Sequence, residues 1–237
     1  MSNERKAIET VGELGAFLRQ VSETPRRGSA GTRGRLIFAM DATASREPTW
    51  DRAAQIQSAM FADTRALGGI EVQLCYYRGF REFDASGWIG DSPTLLARMN
   101  RVFCAAGLTQ IGRVLEQAIA EAGRGRVNAL VFVGDCMEED RERLADLAGQ
   151  LGLLGVPAFM FQEGRDPAAE RSFRDIARLT GGAWCPFDAQ SPGLLRDLLA
   201  AVAVYAAGGR PALTRYGQER GGAVLQLTRQ LARADKP

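Results

Sequence analysis

Short, continuous apolar runs recur along the chain and alternate with segments that have helical periodicity. The clearest runs are LIFAM (36–40), ALVFVG (129–134) and VPAFMF (156–161). A strand has this composition when both faces of its sheet are covered, which is typical of parallel sheets. Strands that alternate with helices favour an open sheet with helices on both faces. The pattern therefore predicts a doubly wound α/β fold.

Further strands and the helices between them complete this prediction. The runs IEVQLCYY (70–77) and AWCPF (183–187) are expected to be strands. Gly79 offers a turn into FREF, so one short antiparallel edge strand is expected there. Apolar residues at helical spacing predict helices within residues 50–67, 111–119, 144–151, 173–180 and 195–202.

The two ends of the chain differ from this alternating part. Residues 8–21 have one helical stripe, and SETPRRGSAGTRG (22–34) has the composition of a flexible linker. We therefore assign residues 1–34 to an N-terminal helix and linker, 35–208 to the α/β domain and 209–237 to a C-terminal extension. The polar, glycine-containing sequence of the extension fits either a packed segment or partial disorder.

The composition excludes several kinds of function. The sequence has no histidine, which rules out Ser-His-Asp and Cys-His catalysis and His-ligated zinc. A net charge of +2 with mixed signs argues against nucleic-acid binding. The four cysteines form no C-x-x-C motif, as is typical of a reducing cytosol. No apolar run suits a signal peptide or a membrane span, so we expect a soluble cytoplasmic protein that binds no membrane.

Oxygen-bearing side chains follow or precede predicted elements at three places. Asp41, Thr43 and Ser45 follow the first strand, Thr109 precedes a helix, and Asp135 follows ALVFVG. In open α/β sheets, ligands bind beyond the carboxyl ends of the strands where the strand order reverses. If the first and fourth strands are neighbours there, all five oxygens meet in one crevice. Three hydroxyls and two carboxylates suit a hard cation, namely Mg²⁺, Mn²⁺ or Ca²⁺.

Each of these residues also has a simpler interpretation. Ser, Thr and Asp are preferred helix N-caps, so Thr43 or Ser45, Thr109 and Asp135 could each cap the helix that follows. Asp41 differs, because a carboxylate directly against an apolar run needs a partner. The joint pattern favours a metal site over separate caps.

The motifs Asp41-x-Thr43-x-Ser45, Thr109 in GLTQIGRVL and Asp135 in FVGD come in a characteristic order. Together they resemble the metal-ion-dependent adhesion site (MIDAS) of the von Willebrand factor type A (vWA) domain. The resemblance extends over the whole α/β unit and is to the stand-alone intracellular bacterial type. It implies a mainly parallel sheet with one short antiparallel edge strand, flanked by helices.

The same resemblance implies a role for each ligand. Ser45 and Thr109 would bind the metal directly, with Thr43 in the place usually held by serine. Asp41 and Asp135 would bind directly or through water. The sequence departs from the family pattern at two positions where glycine is frequent, Leu108 and Cys136.

The implied function is that of an interaction module and not of an enzyme. Hydroxyl ligands leave a divalent ion short of negative charge, so it would accept an exposed Asp or Glu from a partner protein. Bacterial vWA proteins that resemble this one often act as adaptors in assemblies run by ATPases or chaperones. Two alternatives stay open: a metal-dependent hydrolase or phosphatase, and a structural vWA domain with a vestigial site. Against the phosphatase, Thr43 stands where aspartate-nucleophile enzymes have a second aspartate.

Three other segments near the motifs have interpretations of their own. Glu138, Glu139 and Asp140 are expected to form a solvated first helical turn, with a role behind the metal ligands as the alternative. Cys136 is expected to be a small packing residue, since no histidine can activate it. YYRGFREF (76–83) is expected to be a hairpin whose aromatic and arginine side chains could contact a partner.

Overall fold

Six strands form a single sheet in the order β3-β2-β1-β4-β5-β6 in the computed structural model, which describes residues 33–188 and 192–234. All neighbouring strands are parallel except β2 and β3, which are antiparallel. This is the predicted sheet, with its antiparallel edge strand and with β1 beside β4 where the strand order reverses. The strands are β1 (Gly34–Asp41), β2 (Ile70–Arg78), β3 (Glu82–Ile89), β4 (Ala129–Gly134), β5 (Ala158–Glu163) and β6 (Ala183–Phe187).

Helices connect these strands and follow the last one. They are α1 (Glu47–Ile56), α2 (Ser58–Ala62), α3 (Ser92–Met99), α4 (Ile111–Arg124), α5 (Arg141–Leu153), α6 (Pro167–Thr180), α7 (Pro192–Arg220) and α8 (Gly222–Ala234). The N-terminal helix predicted over residues 8–21 lies outside the described residues. Gly34, which was assigned to the linker, begins β1.

The single helix predicted within residues 50–67 is wrong, because α1 ends at Ile56 and α2 is a separate short helix. The break comes at Gln57, where the Met60 N–H bonds to the Gln57 carbonyl at 3.1 Å in a tighter, i+3 turn. The buried Gln57 side chain turns towards α3 and donates to Ser92 Oγ at 2.9 Å. The helix is therefore broken at a residue that makes a tertiary contact, although the apolar pattern continues through it.

Both faces of the central strand are covered, as the apolar runs predicted. Leu36, Phe38 and Met40 of β1 belong to a core shared with α1, α2, α3, α7 and α8. Ile37 and Ala39 point to the opposite face and pack with α4, α5 and α6. Alternate residues of one strand thus enter two different cores, which is why LIFAM has no polar position.

The helices of the C-terminal extension pack against the sheet as far as Leu231. Helix α7 is interrupted at Gly209, whose φ of 68° and ψ of −167° are not helical, and α8 follows it. The side-chain amide of Gln230 in α8 accepts from Trp184 N at 3.0 Å and donates to Trp184 O at 2.9 Å. Helix α8 therefore covers the free edge of β6. Within the described residues, no helix is both long and apolar enough to span a membrane.

Replacing Gln230 with alanine would leave the Trp184 peptide groups without these side-chain partners. We expect Gln230→Ala to lower the free energy of unfolding by about 1–2 kcal/mol, measured by urea denaturation with circular dichroism. Gln218→Ala, at an exposed position of α7, is the matched control and should change stability by no more than about 0.5 kcal/mol. Equal effects of the two substitutions would contradict this account of the β6 edge.

Candidate metal centre

The two predicted carboxylates meet where the strand order of the sheet reverses. Asp41 is the last residue of β1, and Asp135 directly follows β4, the parallel neighbour of β1. One carboxylate oxygen from each aspartate and Cys136 Sγ all lie within 4.8 Å of one another. Two negative charges and a thiol are thus concentrated at the carboxyl edge of the sheet.

Asp41 is fully buried, and only one of its two carboxylate oxygens accepts a hydrogen bond. Its Oδ1 accepts a hydrogen bond from Thr43 N at 2.7 Å, whereas its Oδ2 has no partner. Burial raises the pKa of Asp41, and the neighbouring Asp135 carboxylate raises it further, against the lowering effect of the Thr43 hydrogen bonds. Asp135 Oδ1 is a second buried oxygen without a partner. A divalent cation between these carboxylates would satisfy both oxygens.

The turn after β1 brings two hydroxyls towards the same place. Residues 44–46 form a 3₁₀ turn, with Thr43 buried and Ser45 exposed. The Thr43 and Ser45 hydroxyl oxygens lie 3.5 Å apart, and Ser45 Oγ donates to Asp135 Oδ2 at 3.3 Å. Direct contacts therefore link four of the five predicted ligands.

Thr109 lies in the loop just before α4. Its buried side chain accepts a hydrogen bond from Glu138 N at 3.0 Å, and its own N–H donates to Glu138 Oε2 at 3.2 Å. These bonds tie Thr109 to the loop that carries Asp135. They do not reach the other four predicted ligands.

Helix capping does not account for the predicted ligands. Thr43 makes no side-chain capping bond, and Thr109 Oγ1 is used by the Glu138 N–H. Helix α5 is capped by Asp140, which accepts from Arg143 N at 2.8 Å, and not by Asp135. The capping alternative is therefore wrong for these three residues.

The start of α4 is capped from outside its own helix. The Glu139 carboxylate accepts from Ile111 N and, at 2.9 Å, from Gly112 N. Glu139 thus does not belong to a solvated first turn of α5, which begins at Arg141. Together with Glu138 it fastens the Thr109 loop to the Asp135 loop, a role behind the ligands that the sequence offered only as the alternative.

A positive side chain that the sequence analysis missed lies next to Asp135. Arg46 is only 3% exposed, and its Nη1 pairs with Glu163 and lies 3.8 Å from Asp135 Oδ2. Glu163 also accepts a hydrogen bond from Thr49 Oγ1. An arginine at the end of a polar turn is usually exposed. The local sequence therefore does not indicate that Arg46 is buried. Its charge offsets part of the repulsion between the two aspartates.

Cys136 is a thiol and not a reactive thiolate. Burial, together with the charges of Asp135 and Asp41, raises its pKa to about 12. A raised pKa disfavours the thiolate form in the metal-free site. The complete donor set, with carboxylates, hydroxyls and one thiol, fits a divalent cation.

Three large apolar side chains are exposed at this edge of the sheet: Phe80, Phe103 and Leu108, with exposed fractions of 80%, 65% and 56%. The predicted hairpin carries the first of them between β2 and β3. Gly79 N in this hairpin donates to Ala105 O at 3.3 Å, and Ala105 N donates to Ala42 O at 3.0 Å. We call these three side chains the apolar rim, because backbone hydrogen bonds connect their loops to the turn that carries the site.

No protein-family model and no curated protein matches the chain. Solved structures do match it. A von Willebrand factor type A protein from Catenulispora acidiphila has a TM-score of 0.59 and 15% identity, over 73% of this chain and 43% of that one. The SpRpn10 VWA domain has a TM-score of 0.56 and 15% identity, over 72% of this chain and 95% of that one.

Proximal thread matrix protein 1 from the mussel byssus, in a structure with a zinc-occupied MIDAS motif, has a TM-score of 0.59 and 14% identity. The match covers 73% of this chain and 46% of that one. The chain thus spans less than half of two of these structures and nearly all of the third. At such identities the likeness concerns the fold alone, and the fold is the vWA-like α/β arrangement that the sequence predicted.

Asp41→Asn should separate metal binding from stability. Asparagine keeps the oxygen that accepts from Thr43 N but removes the buried charge. We expect the metal-free variant to gain about 1 kcal/mol, or roughly 2–4 °C in melting temperature, and to lose its response to metal. Asp146→Asn, at an exposed position of α5, is the control and should leave the melting temperature unchanged. A less stable Asp41→Asn protein would show that the charge already has a compensating partner.

Proposed function

We propose that the protein is a metal-dependent interaction module that acts as an adaptor in the cytoplasm. Asp41, Thr43, Ser45, Thr109 and Asp135 would hold a Mg²⁺ ion, with Mn²⁺ or Ca²⁺ as substitutes. One observation carries the proposal: two buried carboxylate oxygens, Asp41 Oδ2 and Asp135 Oδ1, accept no hydrogen bond of normal geometry. They lie at the strand reversal, where ligands of such folds bind.

The protein groups have distinct tasks in this proposal. Asp41 is held by the Thr43 N–H, so one carboxylate oxygen remains available. Ser45 bonds to Asp135 and keeps the two loops at a fixed separation. The Glu138 and Glu139 hydrogen bonds set the position of Thr109 relative to Asp135. A bound cation would supply an electrophilic centre that accepts one more anionic oxygen.

The partner we propose presents an exposed Asp or Glu at the tip of a loop. Ser45 and Asp135 are the accessible members of the site, so a carboxylate can approach from their side. The apolar rim gives the partner a second contact, which would add specificity without depending on the metal. By the family resemblance, the partner would belong to an assembly run by an ATPase or a chaperone.

We also propose that the site does not catalyse hydrolysis or phosphoryl transfer. A nucleophilic aspartate must reach its substrate, but Asp41 is fully buried beneath the Thr43 turn. The sequence contains no histidine to act as a base. Phosphatase activity that depends on Mg²⁺ and is lost in Asp41→Asn would contradict this proposal.

Metal binding should stabilise the fold. An ion at 100 times its dissociation constant adds about 2.7 kcal/mol to the free energy of unfolding, or roughly 5–10 °C in melting temperature. We expect this rise in wild-type protein with Mg²⁺ or Mn²⁺ by differential scanning fluorimetry. The double variant Thr109→Ala/Asp135→Ala should show no rise. A rise that persists in the double variant would indicate binding elsewhere.

Capture of the partner should depend on both the ion and the site. We expect affinity capture with wild-type protein to recover the partner with Mg²⁺ and to lose it in chelator or with Asp41→Asn. Changing the partner's acidic residue to its amide should also abolish capture, because an amide oxygen is a weaker ligand without net charge. Gln218→Ala, away from the site, should behave as wild type. Capture that survives chelator would contradict the mechanism.

A further inference from the structure

We propose that the Cys136 thiol is a further protein ligand in the same site, so that the site binds Zn²⁺ and similar borderline cations more tightly than Mg²⁺. This inference rests on the proposed metal site and deepens it by naming the class of cation. It concerns a residue at a position where the family pattern has glycine. No hard-cation site needs a thiol there.

The positions of three ligand atoms support this assignment. Cys136 Sγ and one oxygen each of Asp41 and Asp135 lie within 4.8 Å of one another. With Zn–S of about 2.3 Å and Zn–O of about 2.0–2.2 Å, tetrahedral ligands are separated by roughly 3.5 Å. The three atoms therefore need to approach by little more than about 1 Å. Side-chain rotation in the loop after β4 can supply a movement of that size.

A second observation indicates that the cluster is a ligand site: one of its carboxylates is buried with an oxygen that accepts no hydrogen bond. Asp41 is fully buried, and its Oδ2 is without a partner in the cluster. Ser45 Oγ, which donates to Asp135 Oδ2, offers a fourth ligand atom on the exposed side. Two carboxylates, one sulfur and one hydroxyl or partner carboxylate match the coordination number that zinc prefers.

The coordination step involves no redox change. The Cys136 S–H bond breaks, its electron pair forms the S–metal bond, and the proton passes to solvent. The thiolate then compensates the ion's charge together with Asp41 and Asp135. Zinc chemistry without histidine is possible here because carboxylates and a thiolate are sufficient ligands.

The chain offers matched controls among its other cysteines. Cys75 and Cys185 are buried within the two cores. Cys104 is partly exposed in the loop before α4, but the three-residue ligand cluster does not include it. Cys104→Ser should therefore leave metal binding unchanged, whereas Cys136→Ser should alter it.

Cobalt(II) provides a direct test, because thiolate coordination gives an intense near-ultraviolet charge-transfer band. We expect this band when Co²⁺ is added to wild type or Cys104→Ser, and its loss on addition of Zn²⁺. Cys136→Ser should lack the band and bind Zn²⁺ at least about tenfold more weakly by competition titration.

The possible failures can be told apart. If Mg²⁺ or Mn²⁺ stabilises the wild type but Co²⁺ gives no charge-transfer band, Cys136 is not a ligand and the proposed function stands. The same conclusion follows if Cys136→Ser binds Zn²⁺ as tightly as the wild type. If no divalent ion stabilises the wild type, both the Cys136 proposal and the metal-dependent function are wrong.

Discussion

A carboxylate with no exposed surface ends the central strand, and a second carboxylate follows the neighbouring strand. Water cannot stabilise the Asp41 charge, and Asp135 adds repulsion to the cost of burial. The Thr43 N–H and the Arg46 guanidinium compensate for part of that cost. Two oxygens remain without partners. The arrangement of the surrounding loops follows from the need to hold these charges close together.

The loops meet this need through bonds between segments that are distant in sequence. Glu138 and Glu139 reach the backbone on either side of Gln110, so the loop after β4 also fixes the start of α4. Gly107 permits a further close approach, because a Cβ atom there would lie 1.9 Å from the Gly79 carbonyl oxygen. The hairpin, the Thr109 loop and the Asp135 loop thus form one connected surface. A displacement of one of them would therefore shift the positions of the others.

The apolar runs were sufficient to predict the sheet, because strands that are covered on both faces consist almost entirely of apolar residues. Placing Asp41 beside Asp135 required that the strand order reverse between the first and fourth strands, a condition that the sequence left open and the sheet meets. The burial of Arg46 and the specific contacts of Glu139 could not be predicted, since each residue acts on a partner far along the chain. Glu139 caps a helix start 28 residues before it. The break at Gln57 has a similar origin, because a tertiary contact prevailed over local periodicity.

The Arg46–Glu163 pair has a consequence for the folding of the protein in its metal-free state. The Arg46 guanidinium, which pairs with Glu163, places a permanent positive charge beside Asp135 before any metal is bound. We expect folding to proceed in a metal-poor cell, and the ion to be acquired afterwards by a finished scaffold. Occupancy of the metal site would then depend on the supply of metal, whereas the folded state would not. In the proposed role, the protein would lose its partner during metal starvation and recover it without new synthesis.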